Sequence, residues 1–554
     1  MITEPRAFLT IDHGAATSSV ALIGRAGGAW RLIGSLALPA GADVGPAIDL
    51  LVRRVVSADP TLSEALGIGG ANVGVLPRLE VRSRPPRRLA VVAGSERTLA
   101  GLVHIAGRSG WRVLGASAEK TDPLAMTRLL LDHDVEAILV GAADPPRADE
   151  RSAIRELATL VAAVAGRRPE LPIVLSGAMS EALDAFGDVA ARPGEILLAP
   201  AAQATSSGGA RGLARAVVSR PDVDEPAADP LGELLLEMAL PADDPRRAIG
   251  PATQALADVL DRRVETIILG HDAAVRAAAD PAAGGVEGTA RLAVVPAAAV
   301  APEEPDDAVV DGVSLWSTVP ADRHRLRDRM RELRIAPWAD AAGEGAALRM
   351  AAARAALVRL AAATTDFDRA PAPDLVVAGG GVWAAVPAPT VALAIVDVIR
   401  RPGASQYALD HARLLGALGA IPDPRERLAV MTDLADDLLA PLGSVVTPAG
   451  LRSGRSAGSV VVHADGAATE MDLVPGGLEL VDLPPGQTAV AEFRFRDRVR
   501  LGARGRHFAI DVAGGLGGLL VDLRDVPLRL PERADRRRDL LAAWQAALWQ
   551  GQDT

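Results

Sequence analysis

The sequence predicts a multidomain α/β protein, and three observations carry that expectation. At 554 residues the chain exceeds what one hydrophobic core supports. Through its middle, short apolar runs alternate with helical segments of roughly ten to twenty residues, the mark of a parallel sheet covered on both faces. After Pro441 the texture changes to short alternating strands between Gly and Pro turns, which indicates a small β-barrel or sandwich.

Composition narrows the function classes. Hydrophobic residues make up 49% and charged residues 23%, which is ordinary globular composition. No uncharged apolar stretch of about 18 residues is present to span a bilayer. The amino terminus lacks a basic segment followed by an apolar run, so no secretory signal is expected and a cytoplasmic address fits. Cysteine is absent, which removes disulfides, thiolate nucleophiles and Cys-based metal sites. Lys120 is the one lysine, so the Gly-Lys-Ser/Thr of a Walker-type P-loop does not occur. A net charge of −11 argues against a general nucleic-acid binder. The basic clusters Arg82–Arg88 and Arg533–Arg538 read as solvated surface.

Taken in order, residues 1–86 open with a strand over Ala7–Ile11, a loop from Asp12 to Ser19, a strand over Val20–Ile23 and a turn at Gly27-Gly28. Residues 87–203 carry the apolar runs Leu89–Ala93, Trp111–Leu114, Ala137–Val140, Ile173–Leu175 and Ile196–Leu198, with helices between them such as Glu150–Ala165. They predict an inserted Rossmann-like domain, although no Gly-x-Gly-x-x-Gly follows its first strand. Residues 204–440 predict helices at Leu231–Ala239 and Pro251–Arg263, then a strand over Val264–Leu269 that runs into Gly270-His271-Asp272. A long Ala-rich helix over Gly345–Ala363 and a strand over Asp374–Ala378 follow, the strand ending in Gly379-Gly380-Gly381. Residues 441–533 form the expected β-domain. Residues 534–554 contain an amphipathic helix with Leu540, Leu541, Trp544 and Leu548 on one face.

The element with chemical meaning is a strand that ends in a small polar loop. It occurs at Asp12-His13-Gly14, at Gly270-His271-Asp272 and, as bare glycine, at Gly379–Gly381. Phosphate chains need backbone N–H groups at close range, which favours Gly and small hydroxyl residues. A carboxylate beside them holds Mg²⁺ through water. Three such loops in this order predict two nucleotide-binding lobes of the actin, sugar-kinase and chaperone ATPase type. The candidate nucleotide-binding residues are Asp12, Gly14, Thr17, Asp272, Gly379, Gly380 and Gly381, with Asp12 and Asp272 as the metal candidates. ATP and Mg²⁺ are the cofactors these loops imply, and no catalytic residue is assigned. The glycine run Gly514–Gly518 lies between strands and reads as a bend, not a phosphate loop.

The chain resembles the long form of the glutamate mutase MutL accessory family over most of its length, including the order of elements around Leu89–Pro200, and most strongly after about Asp374. The residues that carry the resemblance are Leu442–Gly450, Val474–Leu480, Gly514–Arg524 and Pro527–Pro531, with Arg537 and Trp544 beyond. Asp374–Val382 resembles the family's glycine-rich adenosine loop. The resemblance implies an actin-like ATPase fold and a role in reactivating or assembling an adenosylcobalamin-dependent mutase or aminomutase, whose subunits would be the partners. No cobalamin site of its own is expected, because the Asp-x-His-x-x-Gly ligand motif is absent.

The departures from the family pattern are as informative. Ala15 and Ala16 replace hydroxyls in the first loop, and Ser19 stands near an expected lysine. In the second loop the hydroxyls have gone and Arg276 follows, as the one evident counter-charge for a phosphate. In the insert, Pro145 and Pro146 remove N–H donors from a third loop. The expectation is weak or vestigial ATP binding without efficient hydrolysis. An active ATPase chaperone of the same mutase, or a non-catalytic scaffold with a dead nucleotide pocket, are the alternatives.

Overall fold

The computed structural model describes residues 6–68, 76–142, 148–177, 196–199, 229–282, 288–336, 343–384, 386–452 and 455–548. The chain divides into two compact units, residues 86–241 and the remainder. Among the described residues no helix is long and apolar enough to cross a membrane.

The larger unit begins with β1 (Ala7–His13), β2 (Thr17–Ala26) and β3 (Ala29–Pro39), an antiparallel meander. Phe8 pairs with Ile23 and Ile11 with Val20, as the two flanking apolar runs require. The β2–β3 turn uses Gly27 at φ 63° and Gly28 at φ 89°, the doubly left-handed turn whose twist suits a two-residue hairpin. Helices α1 (Gly45–Ala58) and α2 (Pro60–Ala65) carry the chain to β4 (Arg78–Arg82), which joins β1 in parallel. The sheet order is β3-β2-β1-β4.

The smaller unit is a parallel sheet, β5 (Arg88–Ala93), β6 (Arg112–Ser117), β7 (Val135–Gly141), β8 (Ile173–Ser176) and β9 (Ile196–Ala199), in the order β6-β5-β7-β8-β9. Helices α3 (Glu96–Gly107), α4 (Pro123–Leu131) and α5 (Ala148–Arg167) connect its strands. Ser95 and Asp122 cap α3 and α4 by accepting first-turn N–H groups. Helix α6 (Pro230–Ala239) belongs to this unit too, where the sequence reading ended it at residue 203. The Trp111 indole donates to the Leu235 carbonyl at 2.8 Å, a tie between distant segments that local periodicity does not contain. The proline-bearing third loop, residues 143–147, lies outside the described residues.

Back in the larger unit, α7 (Pro245–Leu260) starts six residues before the expected Pro251, because Asp244 caps it and Pro245 fits the first turn equally well. Then β10 (Val264–Leu269), β11 (Ala274–Ala279) and β12 (Arg291–Val295) form a second antiparallel meander. Helices α8 (Asp307–Trp316), α9 (Arg323–Ile335) and α10 (Gly343–Ala363) precede β13 (Leu375–Gly379), which joins β10 in parallel. The order β12-β11-β10-β13 repeats β3-β2-β1-β4, strand for strand and direction for direction. Helix α11 (Ala388–Val398), β14 (Gly403–Leu409) and the short α12 (Leu415–Gly419), α13 (Pro424–Asp433) and α14 (Ala435–Leu438) complete this part.

The expected separate β-domain over 441–533 takes a different form. Strands β15 (Ala440–Thr447), β18 (Leu478–Val481) and β21 (Leu519–Asp522) extend the second sheet to eight strands, ending β13-β14-β15-β21-β18. Strands β16 (Gly458–Ala464), β17 (Ala467–Leu473), β19 (Thr488–Leu501) and β20 (Ala503–Ala513) form a four-stranded sheet packed on that extension. Its core joins Val460, Phe493 and Phe495 to Val446, Leu519 and Val521. The half-sandwich was legible; its shared sheet was not, since period-2 alternation says nothing about which strand a strand pairs with. Helix α15 (Ala534–Ala547) packs Leu541 and Trp544 into the second-lobe core, and Leu548 follows them.

Candidate functional site

Two hairpin loops face one cleft. Asp12 and Ser19 are register partners across β1 and β2, leaving Gly14 to Thr17 as the loop; Ile268 and Val275 are register partners across β10 and β11, leaving Gly270 to Ala273. Each loop closes the same way: Gly14 N–H donates to the Thr17 carbonyl and Gly270 N–H to the Ala273 carbonyl, both at 3.0 Å. Equal loop length and equal register make these the same structural element used twice.

The cleft is open to solvent, spans roughly 750 Å³ including that opening, and is lined by residues from both loops, including Asp12, Gly14, Thr17 and Asp272, and by Gly380 and Gly381. Six of the seven sequence-predicted residues therefore share one site. The seventh, Gly379, does not line it. Gly379 sits inside β13, where a Cβ would press on the Ile268 side chain, so its smallness serves strand packing.

Register corrects the role assumed for Asp272. The residue equivalent to Asp12 in the second lobe is Ile268, and Asp272 is equivalent to Ala16. The second lobe carries no strand-end carboxylate at the position equivalent to Asp12, and Asp272 lies within the loop itself.

Both carboxylates are ion-paired. Asp12 Oδ2 accepts from Arg413 Nη2 at 2.5 Å, and Arg413 Nη1 donates to the Thr17 carbonyl at 2.8 Å and to its hydroxyl. Asp272 Oδ1 accepts from Arg334 Nη1 at 2.6 Å, and the same nitrogen donates to the Ala301 carbonyl at 2.9 Å. Arg246, also in the lining, is held by Asp244. Two buried polar atoms in lining residues have no partner among the described residues, Asp12 Oδ1 and His271 Nδ1. Burial, then the Arg334 charge, push the His271 imidazole down to about 4 from an ordinary 6.5, so it is neutral at pH 7.

Arg276, expected to supply a counter-charge here, does not. Val275 lines the cleft, so the alternation of β11 turns Arg276 to the other face. There it is fully buried, donating to Glu265 at 2.9 Å and Asp368 at 2.6 Å and lying over the Phe367 ring. The arginines that matter, Arg413 and Arg334, come from beyond β14 and from α9, and nothing in sequence distance marks them. The alternation signal in β11, by contrast, was available. Trp383, just after the glycine run, is buried in the second-lobe core, not exposed to a ligand. His13 reaches outward to Glu80 at 2.9 Å.

Asp410 completes the floor. It lies in the turn before α12 and accepts the Leu414 and Leu415 N–H groups that open that helix. Complete burial pushes its carboxyl up to about 6, with the Asp12 charge adding to the rise. The folded state therefore keeps this proton while the unfolded chain, with an ordinary value near 3.8, releases it. Stability is fully present below pH 3.8 and is lost as pH rises to about 6, by about 3 kcal/mol for a shift of this size. Asp410→Asn is expected to abolish that slope, checked by denaturant unfolding from pH 4 to 7.

No protein-family model matches the sequence, and no curated protein matches it. Among solved structures, the type II variant of the Aquifex aeolicus Ppx/GppA phosphatase is similar over 78% of this chain and 91% of its own, at 7% identity and a TM-score of 0.18. A second structure of the Aquifex aeolicus PPX-GPPA enzyme covers 77% and 89%, at 7% identity and a TM-score of 0.19.

Proposed function

We propose that this chain is an accessory protein built on a two-lobed, actin-like ATPase framework that has given up efficient hydrolysis. The observation that carries the reading is the pairing of Asp12 with Arg413 and of Asp272 with Arg334 across a cleft between two equivalent loops. The repeated strand order supports two related lobes. The paired carboxylates support loss of the metal-dependent step.

Mg²⁺ requires near-octahedral oxygen ligation and keeps several waters. The residues present do not fit it. One oxygen of Asp12 and one of Asp272 already accept from guanidinium groups, and the acid equivalent to Asp12 in the second lobe is Ile268. Catalysis of phosphoryl transfer is positioning plus charge stabilisation, largely through the metal. A site without the seat for that ion is a binding site, not an engine.

The proposed client is an adenosylcobalamin-dependent mutase or aminomutase, which this chain helps to assemble or reactivate in the cytoplasm. What supports the client is the agreement of Leu442–Gly450, Val474–Leu480 and Gly514–Arg524 with the MutL accessory pattern. Two assays test the two halves. Phosphate release from Mg-ATP is expected at background and unchanged in Asp12→Ala; steady release abolished by that substitution would restore the active ATPase. Recovery of an inactivated mutase encoded beside this chain is expected on adding the protein. Failure of the two to form a complex would remove the client.

A further inference from the structure

We infer that Arg413 stands in for the divalent cation of the cleft, making it a metal-independent site for an oxyanion-bearing ligand. The inference rests on the two-lobed reading above and adds to it the chemistry that replaces the metal.

The first support is where the guanidinium lies. It reaches from the segment after β14 into the β1–β2 loop, so one second-lobe side chain closes onto the first lobe. It fills the loop so completely that a Cβ on Gly14 would meet Nη2 at 2.5 Å. Asp12, Thr17 and Gly14 are the residues a hydrated cation would approach, and the guanidinium occupies the space between them.

The second support is how the side chain is aimed. Arg413 has φ 58°, a left-handed conformation that is strained for a non-glycine residue. The turn is held by Asp410, whose carbonyl accepts the Arg413 N–H at 3.4 Å and whose carboxylate accepts the next two N–H groups. Strain kept in place by a buried cap fits a side chain whose direction matters.

The third support is what remains unsatisfied. Asp12 is 8% exposed, and its Oδ1 is buried with no partner among the described residues. Arg413 offers five N–H donors, of which three are taken by Asp12, the Thr17 carbonyl and the Thr17 hydroxyl. Its remaining donors match a ligand oxyanion, in the fork geometry that suits phosphate or carboxylate. The orphan carboxylate oxygen matches a ligand hydroxyl. With the positive charge already covalently present, a ligand brings no metal, and a free divalent cation meets like charge at the only seat the loop provides.

Mn²⁺ alone is the first probe, followed by water-proton relaxation, because it reads the seat without any nucleotide or mutase. Wild-type protein is expected to take up no Mn²⁺ at the cleft. Arg413→Gln and Arg413→Ala should each gain affinity at least about tenfold, as the Asp12 carboxylate then faces the cleft unneutralised. The gain should vanish on adding Asp12→Asn. The second probe is ATP titrated calorimetrically with EDTA or with Mg²⁺. Wild-type affinity should be equal in both, and Arg413→Gln should weaken the EDTA arm. Wild-type Mn²⁺ binding lost in Asp12→Asn would overturn the inference, as would ATP binding that needs Mg²⁺. Unchanged Mn²⁺ affinity in both folded Arg413 variants would overturn it as well. A failed mutase assay leaves these readouts untouched, so the two proposals fail separately.

Discussion

Arg524→Ala is expected to cost about 3–5 kcal/mol of stability, the range for breaking a buried ion pair from one side. Arg524 donates through Nε and Nη2 to Asp522 at 2.8 and 2.7 Å and through Nη1 to Asp397 at 2.7 Å. Asp397 also accepts from Arg354 at 2.5 Å, and Asp522 from Arg400. Burial works against the Asp522 and Arg524 charges, yet their partners outweigh it: the Asp522 carboxyl is held below its ordinary value and the Arg524 guanidinium above its own. The Arg524 guanidinium also lies 4.5 Å from the Trp544 ring centre, which fastens α15 to the second-lobe core. Truncating Arg524 would leave two buried carboxylates short of a cation and Trp544 short of a platform. Guanidinium denaturation of the full chain measures the loss. A cost below about 1 kcal/mol would mean that Arg354 and Arg400 suffice alone. Unlike Asp397, Arg354 and Arg400, the residues Asp522, Arg524 and Trp544 fall among the carboxyl-terminal residues that carry the family resemblance. Their pattern is explained by a buried clamp that holds the fold, not by contact with a ligand.

Gly380→Ala is expected to be nearly as damaging, at about 3 kcal/mol or more, while Gly381→Ala is expected to cost far less. Gly380 has φ 101° and ψ 157°, a region open essentially to glycine alone. A Cβ there would overlap the Leu269 carbonyl oxygen, which belongs to the backbone of β10 and cannot give way without shifting the sheet. At Gly381 the neighbour is the Thr17 hydroxyl at 2.8 Å, the end of a side chain. Unfolding midpoints of the two variants separate the cases, and equal costs would show that the Leu269 carbonyl yields. Gly380 thus owes its identity to the close passage of β13 beside β10, whichever ligand the cleft takes.

Much of this architecture is legible from local pattern. The alternation and turn residues of the first hairpin specify its register, because a slip by one residue would turn Leu9, Ile11, Val20 and Leu22 out of the core. The parallel strands of the inserted unit announce themselves as continuous apolar runs, since both faces of such strands are covered. The polar loops at Gly14 and Gly270 are visible as strand ends rich in small residues, and they do meet in one cleft.

What the sequence by itself determined is therefore the first hairpin, the parallel strands of the insert and the small polar loops at strand ends, for these follow from interactions a few residues apart. Only the tertiary structure decided what those loops hold. Arg413 lies 401 positions from Asp12 and Arg334 lies 62 from Asp272, so no local signal could pair them. Arg276 was the nearer candidate, yet strand alternation sends it to the opposite face of the sheet. Likewise, β15, β21 and β18 read as a separate domain until β15 is found to pair with β14 and carry the other two into the same sheet. Backbone pairing across a sheet and charge pairing across a cleft are both long-range. Each depends on which surfaces the completed fold brings within a hydrogen bond of one another, and that is decided by packing.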